Sequence, residues 1–262
     1  MSETNPSHRI VAGMATDTGR VREHNEDNLL ADPEHGLFVV ADGMGGQQAG
    51  ALASKIVVSV LPSMIEARLK KLIRPRTRSI RYWLRQEILN LSQRLQQESN
   101  TKIGFKGMGA TIVAALIRGD RAHIAHMGDS RAYLLRHGQL NQLTQDHSIV
   151  AILLRDGEIT PEQAQTHPAK GQLSRYVGME GDTYADVQTI TLVDNDRLLL
   201  CTDGLTGMVS DGQITGILQA NPDPQAACQG LVDAANQAGG KDNITVVIIS
   251  VQPASDQPVT PS

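Results

Sequence analysis

Phe38-Val39-Val40-Ala41-Asp42-Gly43-Met44-Gly45-Gly46 runs an apolar strand straight into an aspartate and then into a glycine-rich turn. The same device recurs at Leu198-Leu199-Leu200-Cys201-Thr202-Asp203-Gly204, and Gly239-Gly240-Lys241-Asp242-Asn243 leads into a third apolar strand over 244–251. A buried carboxylate is costly unless it is paired or holds a cation. Each Asp-Gly taken alone reads equally well as a turn. Three aspartates at the ends of apolar strands instead point to carboxylates converging from one sheet edge on a cation.

Short runs rich in Val, Ile, Leu and Ala predict further strands, giving 10–16, 28–31, 37–41, 110–117, 122–127, 132–136, 185–192, 197–201 and 243–251. Arg118–Arg121, His137-Gly138-Gln139 and Asp194-Asn195-Asp196 sit between apolar runs and read as hairpin turns. Helices are predicted over 49–72, over a stretch where Ile80, Trp83, Leu84, Ile88, Leu91 and Leu95 form one apolar stripe, and over 224–238, which stops at Gly239-Gly240. Hairpin-rich β structure with its helices grouped between predicts an α+β fold of antiparallel sheets covered by helices. Residues after Gln252, with Pro253, Pro258 and Pro261, read as a disordered tail.

Composition narrows the function. The 262 residues are 40% hydrophobic and 20% charged, with a net charge of −4, so no global pull toward nucleic acid or membrane arises. Two Phe, one Trp and four Tyr leave few base-stacking platforms. Cys201 and Cys228 are too few for a four-cysteine zinc site. The N-terminus carries no apolar signal region and no run approaches about eighteen consecutive apolar residues, so the expectation is a cytoplasmic chain with no membrane span. An all-oxygen ligand set favours Mg²⁺ or Mn²⁺, and two such ions activate a water and clamp a phosphoryl group during in-line displacement.

Five motifs in order carry a resemblance. Thr16 through Asp27 (with Arg22 and Glu26), Val40 through Gly46, Met127-Gly128-Asp129-Ser130-Arg131, Thr202-Asp203-Gly204 and Asp242-Asn243 resemble the motif set of the PPM family, the metal-dependent type 2C serine/threonine protein phosphatases of bacterial type. The resemblance spans about 11–251. It implies a four-layer αββα sandwich over 10–252, an N-terminal extension over 1–9 and a flap over 146–178 beside the catalytic cleft. It places Asp42, the Gly43 carbonyl, Asp203 and Asp242 on a two-metal centre, Glu26 and Asp27 around it, Arg22 on the substrate phosphate, and Asp129 on a third metal. It also implies phosphoprotein substrates of a Ser/Thr kinase and a monomeric chain.

Some residues read two ways or depart from the pattern. Arg131 is expected to pair with a nearby carboxylate. His147 and His167 are expected to be structural hydrogen bonders before acid–base catalysts, and Arg155 and Asp156 to be solvated. Gln47 and Ala51 stand where bacterial members carry His and Glu, and Met44 where eukaryotic members carry His, which leaves the acid that protonates the leaving alkoxide unassigned. A cysteine-nucleophile phosphatase needs an arginine six residues after its cysteine, and Gly207 and Ala234 stand there. A silent binding module is disfavoured because the metal positions and Arg22 are intact. Finally, 68–85 holds eight Lys/Arg of the chain's 24 and no acidic residue. It reads either as a solvated helix face flanking Pro75 or as a docking surface for an acidic partner, substrate or anionic membrane.

Overall fold

The computed structural model describes residues 8–71, 76–101, 105, 107–181 and 183–254. In chain order the elements are β1 (His8–Asp17), β2 (Asn28–Asp32), β3 (Leu37–Ala41), β4 (Gly43–Met44), α1 (Gln47–Leu69), α2 (Thr77–Thr101), β5 (Gly109–Ala110), β6 (Ile112–Arg118), β7 (Arg121–Met127), β8 (Arg131–Arg136), β9 (Gln139–Gln142), α3 (Ile149–Arg155), α4 (Pro161–Gln165), β10 (Asp186–Thr191), β11 (Arg197–Cys201), α5 (Asp203–Thr206), α6 (Asp211–Ala220), α7 (Pro224–Gln237) and β12 (Ile244–Pro253). Two antiparallel five-stranded sheets, ordered β1-β12-β11-β8-β9 and β10-β7-β6-β3-β2, face each other, with a small β4-β5 ribbon beside them.

Three apolar layers hold the sandwich together. Phe38, Val40, Val113, Ile124, Leu198, Leu200, Val247 and Ile249 fill the space between the sheets. Val39, Ala41 and Ala114, on the outer face of one sheet, pack under α1 and α2. Tyr133, Leu199, Val246 and Ile248, on the outer face of the other, pack under α5 to α7. Each central strand is therefore buried on both faces, which is why these strands read as continuous apolar runs and not as alternating ones. The helix stripe from Ile80 to Leu95 is buried as expected, and α7 is capped by the Asp223 carboxylate and ends on Gly239 and Gly240, both with positive φ.

The structure revises several expectations. β1 begins at His8 and pairs with Pro253, so the first and last strands run past the expected bounds and Pro253, expected to open the disordered tail over 253–262, is a strand residue, while 1–7 and 255–262 lie outside the described residues. Arg118–Arg121 and Arg136–Gln139 close hairpins, with His137 at φ 51. Asp194-Asn195-Asp196 does not. β10 pairs with β7 in one sheet and β11 with β12 and β8 in the other, so this segment carries the chain between sheets. The buried Asp196 makes the crossing, accepting Arg136 at 2.6 Å and the Val193 N–H at 2.9 Å. The run 110–117 breaks at Thr111, and α3, α4 and α6 lie in segments for which the apolar pattern predicts no helix.

Among the described residues one helix, Gln48–Leu69, is long and apolar enough to cross a membrane by length and composition, although Ser54, Lys55 and Glu66 interrupt its apolar residues. In the fold its Ala53, Val57, Leu61 and Ile65 are buried in the helix–sheet core.

Candidate metal centre

Strand ends from both sheets deliver the acidic residues to one cleft. A cavity of about 440 Å³ is lined by Arg22, Glu26, Asp42, Gly43, Asp129, Asp203 and Asp242, together with Met44, Thr111 and Tyr176. Asp42 follows β3 and Gly43 opens β4. Asp203 opens α5 directly after β11, and Asp242 precedes β12. Gly43 is required here because a side chain would run into the Gly50 and Glu26 carbonyls, and Gly204 because a side chain would strike the Asn243 carbonyl.

The electrostatics ask for a cation. Burial and the neighbouring carboxylates of Asp27, Asp203 and Asp129 hold Asp42 well above its ordinary pKa. Burial, then Asp203, pushes Asp129 to about 7, and burial, then Asp242, pushes Asp203 to about 6. Burial also raises Glu26, opposed by Arg22. Asp27, 6% exposed, accepts the Thr202 hydroxyl at 2.9 Å through Oδ2, while its buried Oδ1 has no hydrogen-bond partner among the described residues; burial takes it to about 7. Mutually repelling buried carboxylates and an orphaned carboxylate oxygen fit hard divalent cations with oxygen ligands, so the residues present suit Mg²⁺ or Mn²⁺.

A ring of polar side chains, invisible to local sequence reading, fixes these groups. The Asp42 N–H donates to Thr111 Oγ1 at 2.9 Å, and Thr111 Oγ1 lies 2.7 Å from Ser130 Oγ, next to Asp129. Asn243 donates to the Thr18 and His24 carbonyls at 2.9 Å and accepts the Glu26 N–H at 2.8 Å, which pins the loop carrying Arg22. Asn243 belongs to the Asp242-Asn243 motif, yet only its three long-range bonds show what it does. Arg22 Nη2 meets Asp242 Oδ2 at 2.8 Å at the cleft mouth, with both side chains partly exposed.

The residues with two readings resolve. Arg131 grips Asp146 through both Nε and Nη2, at 2.9 and 2.7 Å, as expected. His147 is buried, stacks on His126 at 4.4 Å, accepts the Gly128 N–H through Nδ1 at 3.2 Å and so donates through Nε2 to Asp186 at 3.0 Å. Both ring nitrogens are committed, and burial lowers its pKa to about 4, so it anchors its own segment to the Asp129 motif. His167 accepts the Ala169 N–H locally, and the exposed Arg155 and Asp156 pair with each other. Gly171, Leu173 and Tyr176 also line the cleft, and Val177 beside them pairs with Ala110. Burial lifts the thiols of Cys201 and Cys228 to about 12, which keeps both protonated.

A four-layer αββα sandwich whose strand ends gather carboxylates around a cleft defines a metal-dependent phosphatase. The chain belongs to the protein phosphatase 2C family, whose model matches residues 18–222. It is 39% identical over 241 residues to the serine/threonine phosphatase stp of Listeria welshimeri, across 91% of this chain and 94% of that one. Among solved structures it is similar to the S. agalactiae serine/threonine phosphatase, with a TM-score of 0.84 and 34% identity over 93% of this chain and 100% of that chain. It is also similar to the catalytic domain of the serine/threonine protein phosphatase PstP in complex with two manganese ions, with a TM-score of 0.78 and 32% identity over 93% of this chain and 98% of that chain.

Proposed function

We infer that this chain is a protein serine/threonine phosphatase that hydrolyses phosphoserine and phosphothreonine using two Mg²⁺ or Mn²⁺ ions. The observation that carries the reading is the convergence of Asp42, Asp129, Asp203 and Asp242 on one cleft, where among the described residues only Asp242 has an ion-pair partner, Arg22. Asp42, the Gly43 carbonyl, Asp203 and Asp242 would hold the two ions, and Asp129 a third. When bound, the ions supply Lewis-acid activation of water and neutralise charge on the phosphoryl oxygens. The protein does the positioning. Thr111 orients Asp42, Thr202 orients Asp27, and Asn243 sets the loop that presents Glu26 and Arg22. The Arg22 guanidinium, half-exposed at the mouth, binds the incoming phosphate through its planar fork.

In this reading 10–252 is the catalytic domain and 146–178 its flap, and the chain acts as a cytoplasmic monomer on phosphoproteins made by a Ser/Thr kinase. Release of phosphate from a phosphothreonine peptide is expected with Mn²⁺ or Mg²⁺ and not in excess EDTA; full turnover in EDTA overturns the reading.

A further inference from the structure

Far from the metal centre, a second cleft of about 500 Å³ opens where the C-terminal end of α1 meets the N-terminal turn of α2, lined by Arg68, Arg76, Arg78, Ser79, Tyr82 and Trp83. Gly46 lines the metal cleft and Arg68 lines this one, and the helix between them separates the two by about 30 Å at 1.5 Å per residue.

A solvated helix face accounts for only part of its charge. Cations at a helix C-terminus are favourable, which explains Arg68 at the end of α1. Arg76 and Arg78 stand at the opposite pole. The Arg76 carbonyl accepts the Ser79 and Ile80 N–H groups at 2.8 and 3.1 Å, so it begins α2, whose first turn holds no acidic residue. Cations there oppose the helix dipole, and among the described residues neither guanidinium has a carboxylate partner, whereas Arg68 is paired with Glu87 at 2.9 Å. The wall of the cleft also carries an unmet donor. Trp83 lines the cleft and is only 4% exposed, yet its indole Nε1–H has no acceptor among the described residues. A buried unmade donor costs about 1–3 kcal/mol unless something supplies an acceptor. Beside it Tyr82 is 68% exposed and continues into an adjoining depression with Arg81 and Arg85.

We propose that this cleft is a docking site for a second phosphorylated segment of the protein substrate, an inference that rests on the phosphatase reading. Two arginine forks without carboxylate partners among the described residues, set at the N-terminal turn of a 25-residue helix beside a cleft, match a phosphoryl group. A cavity recessed between the ends of two helices favours a peptide side chain that enters it over a membrane surface lying flat on it. A phosphoprotein holds both clefts at once when its phosphates lie more than about ten extended residues apart, which raises the local concentration of the second at the metal centre.

Trp83 is the chain's one tryptophan, so its fluorescence reports this cleft directly. The full-length protein in Mg²⁺ is titrated with an acidic peptide carrying a non-hydrolysable phosphonate analogue of phosphothreonine. A saturable change in Trp83 emission is expected, with affinity about tenfold weaker in Arg76→Glu/Arg78→Glu and the difference lost at high salt. Turnover of p-nitrophenyl phosphate by the same variant should stay within about twofold of the parent, since metal-cleft chemistry does not involve these residues, while kcat/KM on a doubly phosphorylated protein falls. An unchanged Trp83 signal in a parent that turns over p-nitrophenyl phosphate overturns docking and leaves the phosphatase reading intact, whereas a parent without that turnover overturns the phosphatase reading itself. Equal binding of the unphosphorylated peptide, or a stronger response to phosphatidylglycerol vesicles, also overturns the proposal.

Discussion

Asp42 and Thr111 bond each other twice: the Asp42 N–H donates to the Thr111 hydroxyl at 2.9 Å, and the Thr111 N–H donates to the Asp42 carbonyl at 2.8 Å. The pair locks the end of β3 to the break between β5 and β6, and so sets where the Asp42 carboxylate stands. Thr111→Val keeps the shape and removes the hydroxyl, leaving the Asp42 N–H and the Ser130 hydroxyl without their partner. A stability loss of about 1–3 kcal/mol is expected in urea unfolding, with weaker Mn²⁺ binding by calorimetry. Parent-like metal affinity in Thr111→Val would show that Asp42 needs no such support.

Asp203→Asn tests the stored repulsion. Burial raises the Asp203 pKa to about 6, so the folded chain holds its proton more tightly than the unfolded chain, and this group's contribution to stability grows as pH falls through that value. At pH 8 the carboxylate is ionised and its cost is fully expressed. The variant is therefore expected to be inactive and yet to melt about 2–4 °C higher than the parent in EDTA, losing that advantage in Mn²⁺. A lower melting temperature in EDTA would mean that the clustered charge is not under strain.

Arg22→Ala removes the fork at the cleft mouth and frees Asp242 of its 2.8 Å partner. KM for p-nitrophenyl phosphate is expected to rise about tenfold, with a smaller change in kcat, and Arg22→Lys should recover only part of the loss because its point charge lacks the bidentate geometry. Steady-state kinetics with an unchanged KM would remove Arg22 from phosphate binding.

His147 ties the chain's stability to pH with a sign opposite to that of the carboxylates. Burial, with help from His126 and Arg175, lowers its pKa from 6.5 to about 4, so between those values the unfolded chain takes up the proton and the folded one does not. Its contribution is present above about pH 6.5 and is lost as pH falls toward 4. Replacing it with Gln should cost stability at pH 7 through the Gly128 and Asp186 bonds, and the gap to the parent should narrow by about 1–2 kcal/mol at pH 5. Parallel stability curves for the two proteins from pH 7 to 5 would contradict a buried neutral imidazole.

Local chemistry is legible in the sequence wherever it acts over a few residues. An apolar run ending in Asp-Gly marks a strand end whose carboxylate is held near the sheet edge, and two such ends, with Asp242 just before a third apolar strand, suffice to predict an acidic site. The Ile80–Leu95 stripe and the Gly239-Gly240 stop need only helix period and backbone freedom. Ser210 and Gln213, a reciprocal cap, are a readable signal for α6 that the apolar pattern obscures.

By itself, then, the sequence determined the central strands, the three long helices, the α+β class and the acidic motifs, because periodicity, capping and turn chemistry are decided between near neighbours. Only the tertiary structure decided which sheet each strand joins, since strands buried on both faces carry no alternation to say which side is which; the crossing at Asp194-Asn195-Asp196 turned on that. It likewise decided the contacts of Thr111 with Asp42, Thr202 with Asp27 and His147 with Gly128, which are set by sheet register between residues far apart in the chain. Whether a cation on a helix is solvated or faces a cleft was equally out of local reach, because only the meeting of α1 and α2 places Arg76 and Arg78 around a cleft that Trp83 also lines.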